Sequence, residues 1–196
     1  MIYWGTSFSG GNVIYAAAVD KRIKAAIVQC PAVSGETRSL AFQDRIPALF
    51  ADRARIVQGE PEGRVPCIAS DSESARSESA PVLFPDLHAY QSFDGIHGCG
   101  GRWENWVTQQ TQLHMLEFEA QSMIHRIAPT PLLMVVPGND RTVLTSSQLV
   151  AFGKAKAPKQ LVFLEGAGHF DVYLGEYFER NITAQIEFLR SEVCNI

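Results

Sequence analysis

Apolar residues cluster in four short runs along the chain, each closed by turn-forming residues, and helix-spaced stretches lie between them. A continuous apolar run too short for a helix reads as a strand buried on both faces, as in a parallel sheet. The runs are MIYW at 1–4, IKAAIVQCP at 23–31, TPLLMVVPGND at 130–140 and LVFLE at 161–165. Between the first two, residues 12–20 carry alanines and apolar residues at helical spacing. Asp20, Lys21, Arg22 and Lys24 then form a solvated turn. Residues 142–160 read as an amphipathic helix halted near Pro158, and residues 173–192 as a terminal helix. Strands alternating with helices predict an α/β fold around a parallel sheet.

From about residue 35 to residue 126 the pattern changes. A helix-compatible stretch at 37–57 precedes a Ser/Glu-rich segment at 68–81 that reads as a mobile solvated loop, then aromatic and glycine-rich sequence at 93–103, then a helical reading over 105–125 that ends before RIAPTP. The expected organisation is a sheet-bearing core of 1–35 and 127–196, with 36–126 inserted as a cap. Phe42, Phe50, Phe84, Tyr90, Phe93, Trp103 and Trp106 supply apolar surface there, either for a substrate pocket or for packing the insertion itself.

The candidate chemistry starts at GTSFSGG, residues 5–11. A serine at a tight strand-to-helix corner needs small flanking residues, because its backbone is strained and side chains nearby would collide with the adjoining strand or helix. Gly5, Gly10 and Gly11 meet that need. The spacing Gly-x-Ser-x-x-Gly puts Ser9 where glycine is commoner, so Ser7 is the candidate nucleophile. A Ser/Gly-rich helix start would also fit this string alone. Two further residues change the reading: Asp140 closes the third run, and His169 follows the fourth across a Gly-rich turn. Asp171 and Glu165 are rival acids, with Asp171 better placed as an amino-terminal cap.

Serine, then aspartate, then histidine, each in a loop after a strand, is the chain order of the α/β-hydrolases. GTSFSGG, RIKAAIVQCP, IAPTPLLMVVPGND and GAGHFDVY together resemble that superfamily, most closely the branch of fungal hydrolases and acyl transferases acting on polyketide intermediates. The resemblance implies Ser7 as attacking oxygen, His169 as base, Asp140 as the carboxylate orienting the imidazole, and the Phe8 N–H as an oxyanion donor. It implies a small-molecule ester or thioester substrate, an acyl-enzyme resolved by water or by a second alcohol or amine, and no cofactor or metal. In the complete fold the elbow follows a fifth strand, so an elbow at residue 7 is expected to leave a truncated sheet equivalent to strands 5 to 8. A second oxyanion donor then has no assigned source, and the exposed edge of the first strand is open to self-association. A non-catalytic remnant or interaction module stays open beside the enzyme reading.

Composition narrows the remaining classes. With 46% hydrophobic and 19% charged residues, a chain of 196 residues can bury a substantial core. A net charge of −4 without a basic stripe argues against nucleic acid binding. No apolar stretch is long enough for a membrane span and no leader pattern is seen, so a cytoplasmic location is expected. Cys30, Cys67, Cys99 and Cys194 are widely spaced and read as free thiols. Cys30, ending its strand at the catalytic edge, reads as a buried structural thiol or a substrate contact. His88, His97, His114 and His125 carry no metal-ligand spacing.

Overall fold

The computed structural model describes residues 1–37, 43–98, 100 and 102–194. Phe42, Cys99 and the side chain of Cys194 fall outside what is described. The chain forms two compact units, one of residues 1–37 and 118–196, the other of residues 38–117.

The first unit is built on a four-stranded parallel sheet, which β1 Ile2–Thr6, α1 Phe8–Val19 and β2 Ala25–Gln29 open. All five residues of β2 are buried. Alanines at 25 and 26 leave room for covering layers at one end of β2, and Ile27 and Val28 fill the core farther along. Each large side chain buried this way contributes roughly 1.5–3 kcal/mol. The register Gly5↔Val28 and Thr6↔Gln29 brings the ends of β1 and β2 level.

In the second unit a 3₁₀ turn, Gln43–Arg45, leads into α2, Ile46–Val57. β3, Arg64–Val65, pairs antiparallel with β4, Val107–Thr108; α3 Ser72–Arg76, α4 Leu87–Gly98 and α5 Gln110–Glu117 complete the unit. Two expectations are corrected here. The segment read as a solvated loop contains α3, started by Asp71, whose carboxylate accepts from the Ser74 N–H at 2.8 Å, and anchored by wholly buried Ala75. The helix expected over 105–125 is shorter, because Val107 and Thr108 are taken by the ladder with β3 and α5 stops at Glu117. Phe118 then belongs to the first unit, where its ring lies 4.5 Å from Phe8 and 5.2 Å from Tyr15, and residues 120–126 form two 3₁₀ turns. Inside the second unit Phe84 stacks on Phe93 at a centroid separation of 6.0 Å, and Phe93 meets the Trp103 ring at a tilt, 5.0 Å away.

The chain returns to the sheet in β5, Leu132–Pro137, every residue of which is buried. α6, Thr145–Lys154, crosses to β6, Lys159–Leu164, and α7, Gly175–Leu189, follows. β5 lies between β2 and β6, with Val135 opposite both Gln29 and Val162. The loops after β1, β5 and β6 therefore leave one edge of the sheet, as parallel order requires. No described helix is long and apolar enough to cross a membrane.

Candidate active site

Ser7 sits between β1 and α1 with φ 52° and ψ −122°, a conformation that non-glycine residues rarely adopt. The corner is held by backbone bonds. Ser7 donates its N–H to the Gln29 carbonyl at 2.9 Å, and its own carbonyl accepts from the Ala32 N–H at 2.8 Å. Steric room explains the neighbouring glycines. A Cβ on Gly5 would lie 2.5 Å from the Ser9 carbonyl oxygen, one on Gly10 would lie 2.9 Å from Pro31 Cβ, and one on Gly11 would overlap the Ala32 carbonyl and the Phe118 ring. Ser9 is exposed, so the commoner glycine is not needed at that place. Phe8 opens α1, and its N–H belongs to the first turn, whose amides have no acceptor within the helix.

Asp140 follows β5 in a loop tied to the β6 side by Gly138 N–H to Leu164 O and Asn139 N–H to Ala167 O, both 2.8 Å. Its carboxylate is surrounded by donors. Oδ1 accepts from the Thr142 and Val143 N–H groups at 2.9 and 2.8 Å. Oδ2 accepts from Gln148 Nε2 at 3.0 Å and meets His169 Nδ1 at 2.8 Å. The Nε2 of His169 lies 3.0 Å from Ser7 Oγ. With the Nδ1 proton held by the carboxylate, the Nε2 lone pair faces the serine hydroxyl. Asp140 and His169 are 4% and 3% exposed, so water competes little for either bond.

Burial opposes the imidazolium form of His169, but the hydrogen bonds and charges of Asp140 and Cys30 outweigh it and raise the pKa to about 10. Cys30 directly follows β2 with φ 36° and is wholly buried, its Sγ 3.5 Å from Thr6 Oγ1 and 3.8 Å from the Tyr173 hydroxyl. Burial and the neighbouring Cys30 push the Tyr173 phenol up. Tyr173 in turn shares a 2.8 Å hydrogen bond with Thr6 Oγ1, the side chain just before the nucleophile.

The structure thus brings Ser7, Asp140 and His169 into one chain of hydrogen bonds. The rival acids lie elsewhere. Glu165 is exposed. Asp171, expected to cap a helix, instead accepts from the Gly168 N–H at 2.7 Å and braces the turn that carries His169. Among the described residues, no three His, Cys, Asp or Glu side chains are grouped to hold a metal ion. Gln148, the Thr142 and Val143 amides, and the Thr6–Tyr173 pair were not read from the sequence. The signal for Gln148 was its polar side chain on the sheet-facing side of α6, where Ser147 and Ala151 are also buried.

This fold recurs in solved proteins. The crystal structure of the α/β-hydrolase GrgF from a Penicillium species superposes with a TM-score of 0.78 at 29% identity, over 97% of this chain and 63% of that one. The chain has the α/β-hydrolase fold. DcsB, solved with a substrate analogue, matches the chain with a TM-score of 0.74 at 28% identity, over 98% of this chain and 65% of its own. By sequence, the chain is 30% identical to the polyketide transferase grgF and 28% identical to the thiohydrolase aneE of Aspergillus aculeatus, in each case over 95% of this chain. It spans 60% of the length of these two relatives. No family model matches it.

Proposed function

We propose that the chain is a serine hydrolase that cleaves a small-molecule ester or thioester through an acyl-enzyme on Ser7. The observation that carries the reading is the pair of bonds on His169, 3.0 Å to Ser7 Oγ and 2.8 Å to Asp140 Oδ2. In the proposed reaction Ser7 Oγ bonds to the substrate carbonyl carbon while its proton passes to His169 Nε2. The Phe8 N–H supports the oxyanion. Collapse breaks the bond to the leaving sulfur or oxygen, which takes the proton from Nε2. Water then gives a proton to the same nitrogen and releases the acid, returning Ser7 to its hydroxyl. Asp140 orients the imidazole throughout.

An alcohol in place of water would make the same site an acyltransferase. The names of the relatives favour both outcomes, one being a polyketide transferase and one a thiohydrolase, and a polyketide-derived acyl group is the substrate class they support. Residues 38–117, inserted between β2 and β5, are assigned the choice of acyl group. The exposed edge of β1 is assigned to self-association.

A fluorophosphonate probe tests the nucleophile. Covalent labelling of the native chain, lost in Ser7→Ala, is the expected result. A native chain that stays unlabelled while folded turns the reading toward a non-catalytic module. Thioester turnover with and without an added alcohol then separates hydrolysis from transfer by the product formed.

A further inference from the structure

The carboxylate of Asp140 meets one side-chain donor that the proposed reaction does not use. Gln148 on α6 is wholly buried, and its Nε2 donates to Asp140 Oδ2 at 3.0 Å and to the Val143 carbonyl at 2.5 Å. Both acceptors fix the orientation of the amide, since the reversed arrangement would set Oε1 against a carboxylate. A leucine or methionine would fill much the same volume without placing an amide in the interior. What the amide adds is its bond to Asp140. The oxygen it binds is also the one facing His169 Nδ1, so the amide and the imidazole share the charge of a single atom.

We propose that Gln148 is a positioning residue, which holds the Asp140 carboxylate toward His169 and limits how strongly that carboxylate raises the basicity of the imidazole. The inference rests on the catalytic reading of Ser7, Asp140 and His169. The titratable groups acting on the imidazole are Asp140, from the loop after β5, and Cys30, directly after β2; Tyr173 stands beside Cys30. Substitution at 148 leaves all of these residues in place. With Oδ1 still held by the Thr142 and Val143 amides, a donor removed from Asp140 Oδ2 leaves more of its charge to the imidazolium, so the imidazole pKa must rise.

The test is an NMR titration of the His169 imidazole in the full chain, with the signal assigned by its loss in His169→Asn. Gln148→Met removes the donor at nearly constant volume, and the pKa is expected to rise by about half to one unit. Gln148→Leu removes the same donor and carries the test, with the same rise expected, if Gln148→Met does not fold. In an active protein the rising limb of kcat/KM moves to higher pH by the same amount, with KM unchanged. An imidazole pKa unmoved in the folded variants overturns the proposal, whatever happens to the unfolding temperature. Because the titration needs no turnover, an inactive native chain counts against the hydrolase reading and not against the role of Gln148.

Discussion

β5 and β1 lie in one sheet with only β2 between them, yet they meet their surroundings in opposite ways. Every residue of β5 is at most 1% exposed along its apolar run, from Leu132 to Val136. On β1, Ile2, Tyr3 and Trp4 are 41%, 42% and 52% exposed, and among the described residues this strand pairs only with β2. The candidate acid follows the first strand and the candidate nucleophile follows the second. Asp140, itself buried, is held by four donors. Ser7 is held by backbone bonds and by the fit of glycines against their neighbours. One site is therefore assembled from a rigid half and a half whose support is local, and free energies of local opening differ between such regions.

The largest effect should come from cutting the rigid half. Asp140→Asn keeps the shape but removes the charge that orients and stabilises the imidazolium, and turnover should fall by about 10⁴-fold. The pH behaviour gives the sign. Only neutral His169 accepts the serine proton, so activity of the native chain should climb with pH until the imidazolium is titrated at about 10. Because the folded pKa lies above the ordinary value of 6.5, the charged imidazole contributes stability that is fully present below 6.5 and is lost as pH rises through 10. Asp140→Asn removes that contribution. Its deficit in unfolding free energy should be widest below pH 6.5 and close toward pH 10, as read by denaturant titration across that range. A deficit that does not change with pH would deny the carboxylate its role in charging the histidine.

The locally supported half should break by crowding instead. Gly5→Ala places a methyl group 2.5 Å from the Ser9 carbonyl, where the obstacle is backbone and cannot rotate away. Overpacking of this kind costs about 1–3 kcal/mol, which for a chain of this size lowers the unfolding temperature by roughly 2–4 °C per kcal/mol. Relief of the clash would move the corner. Probe labelling of Ser7 should therefore slow by more than the stability loss alone explains, whereas Gly153→Ala, at a helical position with open space around it, should leave labelling unchanged.

The contrast also accounts for what could be read from the residues. β2 and β5 were legible because strands buried on both faces carry unbroken apolar runs, and Ser7, Asp140 and His169 were legible because turn-forming residues mark the strand ends. The shorter α5 and the presence of α3 were not, since two-residue strands and a five-residue helix leave no periodicity to detect. The polar interior was hidden for a different reason. Gln29, Asn181 and Gln185 are buried and bonded to one another beneath the sheet, Gln29 also donating to Thr6 Oγ1 at 3.1 Å. Along a sequence such residues read as a solvent-facing stripe, because their partners lie about 150 residues away.

The smallest effect on the site, and the clearest on the exposed strand, should come from Tyr3→Lys. An edge strand offers unpaired backbone groups to other chains, and a charged side chain on it opposes such pairing. Tyr3 is the suitable position because Trp4, more exposed, donates its indole N–H to Gln185 Oε1 at 2.7 Å and is tied into the interior network. Self-association seen by sedimentation of the native chain should weaken in Tyr3→Lys, while probe labelling of Ser7 and the unfolding temperature stay near native values. If association persists unchanged, the edge of β1 is not what holds the copies together. If labelling falls along with association, the support of Ser7 is not confined to the corner, and pairing across this edge is part of what holds the nucleophile in place.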